Sequence, residues 1–124
     1  MSTLNLTSET FDDTIETNAI VLVDFWAAWC GPCRMFAPVY EQASEDHADI
    51  VFAKMDTEAE HEFAAAAQIT SIPTLMAFRD GILVFSRPGA LPRAGLEQII
   101  AGVRGLDMDD VRAKIAEQAS ATPA

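Results

Sequence analysis

Basic residues are scarce in this sequence: 8 Lys and Arg stand against 19 Asp and Glu among 124 residues, a formal net charge of -11. Attraction to phosphate groups requires clustered Lys and Arg, so the composition argues against binding to nucleic acid or to an anionic membrane. Long apolar runs are also missing, because the longest, 20–26, is far shorter than a membrane span and contains Asp24. We therefore expect no nucleic-acid or membrane partner, and an acidity that serves solubility.

Cysteine and histidine are equally scarce, with two of each. A structural zinc site needs four ligands, and the spacing of His47 and His61 from Cys30 and Cys33 fits no usual zinc-binding pattern. Haem attachment needs a histidine directly after the second cysteine, and this chain has Arg34 there. We therefore predict no metal site and no bound cofactor.

Apolar residues make up half of the chain, which is enough for a substantial core. The length suits one domain. The first ten residues have neither a basic flank nor an apolar run, so we expect no secretory signal and a cytoplasmic location. In that compartment, thiols are kept reduced.

Apolar periodicity predicts strands that alternate with helices. The run 20–26 is typical of a strand that is covered on both faces, and Asp80-Gly81 between two apolar runs indicates an antiparallel hairpin. A helix is predicted from Cys33 to about His47, with an inward stripe of Met35, Phe36, Val39, Tyr40 and Ala43. We therefore predict an α/β protein with a central mixed sheet and helices on both faces. The predicted strands are 4–6, 20–26, 50–55, 74–78 and 82–85, and the other helices lie near 8–17, 57–68, 96–103 and 107–118.

The two cysteines lie at the junction between the second strand and the second helix. A structural cross-link across so short a loop would stabilise the fold by only about 2 kcal/mol, so reactivity explains the pair better. A helix N-terminus favours an anion, and we expect Cys30 to be stabilised there as the attacking thiolate. We expect Cys33, inside the helix and more buried, to resolve the mixed disulfide.

The segment FWAAWCGPCR, from Phe25 to Arg34, resembles the active-site segment of the thioredoxin family. The resemblance extends to Pro38, to Ile72-Pro73-Thr74 and to Gly89-Ala90, and it spans about 4–104. It implies a thioredoxin fold with five strands in a mixed sheet, and a monomer that reduces protein disulfides and maintains redox homeostasis. It also implies electrons from NADPH, delivered by a flavoprotein thioredoxin reductase.

The resemblance also implies roles for individual residues. Asp24 would be a buried proton acceptor for Cys33, with Lys54 as a nearby charge. Pro73 would follow a cis peptide bond and face the dithiol across a shallow groove, in which a substrate strand could lie. The residues that would line this groove are Trp29, Gly31, Pro32, Ile72, Pro73, Gly89 and Ala90.

Some features depart from the family pattern. Pro88 stands where a β-branched residue is common, Ala28 replaces a frequent acidic residue, and the chain continues past the usual family end. Because the chain continues past the usual family end, we divide it into a catalytic domain at 1–105, a helical extension at 106–118 and a disordered tail at 119–124. Two other hypotheses are a thiol oxidase or isomerase, and a non-catalytic binding subunit with the same fold.

Overall fold

A central sheet of five strands organises residues 2–121, the part of the chain that the computed structural model describes. The strand order is β1-β3-β2-β4-β5; β1 and β2 run parallel to β3, and the other neighbours are antiparallel. The predicted mixed five-stranded sheet is therefore confirmed. The elements are β1 Thr3–Asn5, α1 Phe11–Thr17, β2 Ile20–Trp26, α2 Gly31–Asp46, β3 Val51–Asp56, α3 His61–Ala66, β4 Thr74–Arg79, β5 Ile82–Pro88, α4 Arg93–Arg104 and α5 Met108–Ala121.

Helices cover both faces of the sheet, each over its own apolar cluster. One cluster joins the sheet to α2 and α4, through residues such as Leu22, Phe36 and Leu96. The other lies beneath α1 and α3, where Val23 packs with Ile15 and their neighbours. Because β2 is central and covered on both faces, its run is almost continuously apolar, as the sequence predicted.

The turn between β4 and β5 confirms the hairpin prediction. Asp80 and Gly81 both adopt left-handed backbone angles, with φ of 53° and 80°. Such angles suit a two-residue turn between antiparallel strands, and Gly and Asp are among the residues that tolerate them. This hairpin places β5 at the edge of the sheet.

Several helix boundaries differ from the predictions, and one of them is the start of α1, which lies at Phe11 and not near residue 8. Helix α2 begins at Gly31 rather than Cys33, because a proline in the first turn has no N–H that would need a partner. Helix α3 is limited to His61–Ala66, since Asp56 Oδ1 accepts the N–H of Glu58 at 2.9 Å and holds the preceding residues in a turn. Helix α5 continues to Ala121, past the start of the tail predicted at 119–124, and 122–124 lie outside the described residues.

Helix α5 is attached to the β4–β5 hairpin. Asp107 Oδ1 accepts the N–H of Asp110 at 3.2 Å, which confirms the predicted cap. The Arg112 guanidinium lies 3.2 Å from Asp80 in the hairpin turn. The Arg79 guanidinium donates to three carbonyl oxygens where α4 ends and the connection to α5 begins, those of Val103, Arg104 and Leu106. Within 2–121, no helix has both the length and the apolar character needed to cross a membrane.

Candidate active site

A disulfide joins Cys30 to Cys33 at the start of α2. Cys30 is the residue before the helix, and its Sγ accepts the N–H of Cys33 at 3.2 Å. The first turn of α2 contains no acidic residue, so no carboxylate competes for the unpaired N–H groups at this end. The helix N-terminus is therefore arranged to stabilise a negative charge on Cys30 after reduction.

Burial does not distinguish the two cysteines. Cys30 is 4% exposed and Cys33 is 3% exposed, so the expectation that Cys33 is clearly more buried is wrong. Both pack against Ala27, with Trp26 and Ile72 beside them, and this packing covers both sulfurs in the disulfide form. What separates them is position: only Cys30 Sγ accepts the helix N–H, and it lies 3.7 Å from the carbonyl oxygen of Ile72.

The segment opposite the dithiol contains the Ile72–Pro73 peptide bond, which is cis as the resemblance implied. The carbonyl oxygen of Pro73 accepts the N–H of Gly89 at 2.8 Å. Gly89 has a φ of 103°, a left-handed conformation that favours glycine. The structure thus brings Ile72, Pro73 and Gly89 together beside Cys30.

Trp29 stands at the rim of the site and is 67% exposed. Its indole Nε1–H donates to Glu58 Oε1 at 2.6 Å, and this fixes the ring. The loop that carries Glu58 is itself tied to β2, because the N–H and the hydroxyl of Thr57 both donate to the carbonyl oxygen of Trp26. Glu58 was missed by the sequence analysis, since nothing in the sequence relates it to a residue 29 positions away.

An open groove of about 340 Å³ lies between α2 and the segment that leads into α4. Met35 was predicted to face the core, but its side chain is 75% exposed at the edge of this groove. The buried side of α2 instead carries Phe36, Tyr40 and Ala43, which leaves Met35 on the flank of the helix. The groove is lined by Met35, Phe36, Val39, Ala90, Leu91 and Pro92.

Asp24 lies in the interior of β2, on the face that Leu22 also presents to α2. It is 1% exposed, and within 2–121 neither carboxyl oxygen has a hydrogen-bond partner. Burial raises the pKa of the Asp24 carboxyl from 3.8 to about 7, and the positive charge of Lys54 opposes part of that rise. Asp24 can therefore gain or lose a proton near neutral pH.

Lys54 and Tyr40 are the polar neighbours of Asp24. Lys54 pairs with Asp24 in the register of β2 and β3, and its Nζ lies 4.9 Å from the ring centroid of Trp26. The Tyr40 hydroxyl donates to the carbonyl oxygen of Ala53 at 2.8 Å. Burial, and secondly the Asp24 charge, hold the pKa of Tyr40 well above its usual value. Helical spacing predicted Tyr40 to lie in the core, but nothing in the sequence indicated that it lies close to Asp24.

Among the described residues, no group of three or more His, Cys, Asp or Glu side chains is placed to hold a metal ion.

Comparisons with known proteins agree with this geometry. The family model described as Thioredoxin matches residues 2–102. A curated relative, "Putative thioredoxin 2" of Streptomyces coelicolor, is 56% identical over 117 residues, which cover 94% of this chain and 87% of the relative. The thioredoxin of Alicyclobacillus acidocaldarius is 45% identical over 103 residues, with 82% and 98% covered. A solved structure, a mutant thioredoxin from Halobacterium salinarum, superposes with a TM-score of 0.78 at 35% identity, with 85% and 93% covered.

Replacing Asp24 by Asn should change how stability depends on pH. Between pH 3.8, the pKa of Asp24 in the unfolded chain, and about pH 7, its pKa in the folded protein, the folded state keeps a proton on Asp24 that the unfolded chain has lost. The stabilisation from the protonated carboxyl is therefore fully present below the lower value and is lost as the pH rises through the upper one. Three pKa units correspond to about 4 kcal/mol, so in the disulfide form Asp24→Asn should be more stable than the parent by up to about 4 kcal/mol at about pH 8.

Urea denaturation of the disulfide form at about pH 4 and about pH 8 measures this difference, which should be small at the lower pH. Asp12→Asn, which makes the same change of charge at an exposed position of α1, is the matched control. Equal pH dependence in the parent and in Asp24→Asn would contradict the assignment.

Proposed function

This chain belongs to the thioredoxin family and is a thioredoxin-type dithiol–disulfide oxidoreductase that reduces protein disulfides, and we propose which of its residues carry out each step. The observation that supports the proposal is the Cys30–Cys33 disulfide, which lies at the N-terminus of α2 opposite Pro73. The reduced protein begins the cycle, and the disulfide form described above is its end point.

In the first step, the Cys30 thiolate attacks one sulfur of a substrate disulfide. A bond forms between Cys30 Sγ and that sulfur, while the substrate disulfide breaks and its other sulfur leaves as a thiolate that takes up a proton. The attacking thiolate is stabilised by the N–H of Cys33 and by the helix N-terminus. Arg34, in the first turn of α2, adds a positive charge nearby.

In the second step, Cys33 resolves the mixed disulfide. Its thiol gives a proton to the Asp24 carboxylate, and its sulfur attacks Cys30 Sγ, which releases the second substrate thiolate and leaves the Cys30–Cys33 disulfide. A carboxyl with a pKa of about 7 is suited to accept a proton and then release it near neutral pH. Lys54 helps to keep part of the Asp24 population ionised and ready to accept this proton.

The substrate segment lies in the groove beside the dithiol. Trp29 forms one wall, and the Ile72–Pro73 segment forms the other. Gly31 and Pro32 form the floor at the start of α2, and no atom outside the helix would meet a Cβ built on Gly31. Gly89 and Ala90 extend the groove toward Met35. An extended substrate strand would bring its cysteine to Cys30 and pair with the backbone next to Pro73.

The cycle closes when the disulfide is reduced again. We assign this step to a flavoprotein thioredoxin reductase that takes two electrons from NADPH, with the protein acting as a cytoplasmic monomer and binding no cofactor itself. Residues 1–105 would form the catalytic domain, and α5 is an appended helix that the redox cycle does not use.

Turnover with a physiological type of electron source tests the proposed function. The protein, a bacterial thioredoxin reductase and NADPH should reduce insulin, which is seen as NADPH oxidation and as precipitation of the insulin B chain. Cys30→Ser should abolish the activity, since no other thiol reaches the substrate. Asp12→Asn is the control for handling and folding. If the parent protein reduces insulin with dithiothreitol but not with the reductase and NADPH, the choice of reductase is contradicted. If it reduces insulin with neither electron source, the proposed function is contradicted.

Replacing Cys33 by Ser should separate the two proposed sulfur roles. The variant can attack through Cys30 but cannot resolve, so it should accumulate a mixed disulfide with a protein substrate. Non-reducing electrophoresis and peptide mapping measure the adduct, which dithiothreitol should release. Cys30→Ser provides the comparison and should trap much less. Equal trapping by both variants, or trapping only by Cys30→Ser, would reverse the assignment.

A further inference from the structure

Met35 differs from the other methionines that the structure describes. Its side chain is 75% exposed, whereas Met55, Met76 and Met108 are 0%, 8% and 7% exposed. Oxidation of a methionine sulfur requires that a peroxide reach it, and buried methionines are protected by their packing. Within 2–121, Met35 is thus the methionine open to oxidation.

The position of Met35 links it to the dithiol. It lies in the second turn of α2, the helix whose N-terminus holds Cys30. Its side chain borders the 340 Å³ groove together with Ala90 and Leu91. Gly89, the residue before Ala90, is hydrogen-bonded to Pro73 opposite the disulfide. The groove beside Met35 therefore shares Ala90 with the substrate groove proposed above, and its lining is mostly apolar.

We propose that Met35 is a site of reversible oxidation by hydrogen peroxide, and that its sulfoxide weakens the docking of protein substrates without affecting the dithiol. In this reaction the thioether sulfur loses two electrons and gains one oxygen atom. The O–O bond of the peroxide breaks, and the peroxide is reduced to water. No further reactant is needed.

The disulfide state makes this oxidation selective. Cys30 and Cys33 are bonded to each other and nearly buried, so they offer no free thiol to peroxide in this form. Trp29 is also exposed, and its indole N–H is bonded to Glu58, but indole reacts with peroxide less readily than a thioether. The oxidised protein thus retains its reducible disulfide while Met35 reacts.

A sulfoxide changes the groove where a substrate would touch it. The flexible apolar thioether becomes a polar, chiral group that must lose water to contact an apolar side chain. The occupant we assign to this groove is the apolar side chain of an extended protein segment next to the substrate's cysteine. This consequence rests on the proposed function. Oxidation should therefore raise KM for protein substrates and leave kcat and the reaction with small dithiols unchanged.

The test treats the disulfide form with limited hydrogen peroxide and maps each methionine by mass spectrometry. Met35 should gain one oxygen at least about ten times faster than Met55, Met76 and Met108. Insulin turnover with thioredoxin reductase and NADPH is measured before and after treatment. We expect KM for insulin to rise about threefold to tenfold, as expected for partial loss of one apolar contact. The rate of disulfide reduction by dithiothreitol should stay the same.

Two comparisons make the result specific to Met35. Met35→Leu should show the same KM before and after peroxide, since its side chain cannot form a sulfoxide. Methionine sulfoxide reductases A and B, supplied with dithiothreitol, should restore the KM of the treated parent. Any of three outcomes would overturn the proposal. Met35 could be oxidised without a change in KM for insulin, peroxide could raise this KM equally in Met35→Leu, or the buried methionines could be oxidised faster than Met35. An untreated protein that fails to turn over would instead contradict the proposed function, while the peptide map would still test the oxidation site.

Discussion

A buried carboxyl that has no hydrogen-bond partner among residues 2–121 is the main physical constraint on the core of this fold. Asp24 occupies the central strand, where the neighbouring side chains are apolar, and an ionised carboxylate is costly in such surroundings. Lys54 offsets only part of this cost, so the carboxyl stays close to its protonation equilibrium near neutral pH. The fold therefore gives up some stability above neutral pH by keeping this carboxyl in its core, where we propose that it accepts a proton.

The remaining elements position the dithiol. Helix α2 supplies both sulfurs and the N–H that stabilises Cys30, and it packs on the face of the sheet that contains Asp24. On the opposite side of the groove, the Gly89 N–H donates a hydrogen bond to the Pro73 carbonyl oxygen. The Trp29 indole N–H donates a hydrogen bond to Glu58. The segments around Cys30 are thus held by hydrogen bonds, while the groove beside Met35 is open.

Much of this arrangement could be predicted from local patterns. Three local signals agreed with the structure: the apolar run predicted strand β2, the Asp-Gly pair predicted the hairpin turn, and the short spacing predicted that the two cysteines pair. The cis bond before Pro73 came only from the resemblance, because most bonds before proline are trans. The contacts of Glu58 and Tyr40 could not be predicted, since they join residues far apart in the chain. Met35 was misplaced because helical spacing does not fix the edge of a buried stripe.

A titration of the Asp24 carboxyl tests the account most directly. Carbon-13 NMR of the side-chain carboxyls, recorded across pH on the disulfide form, can follow this group separately, with Asp24→Asn to assign its signal. We expect a midpoint of about 7, far above the usual pKa of an aspartate carboxyl. A midpoint near the usual value for aspartate would show that the carboxyl is solvated or paired, and would contradict its role as the proton acceptor for Cys33.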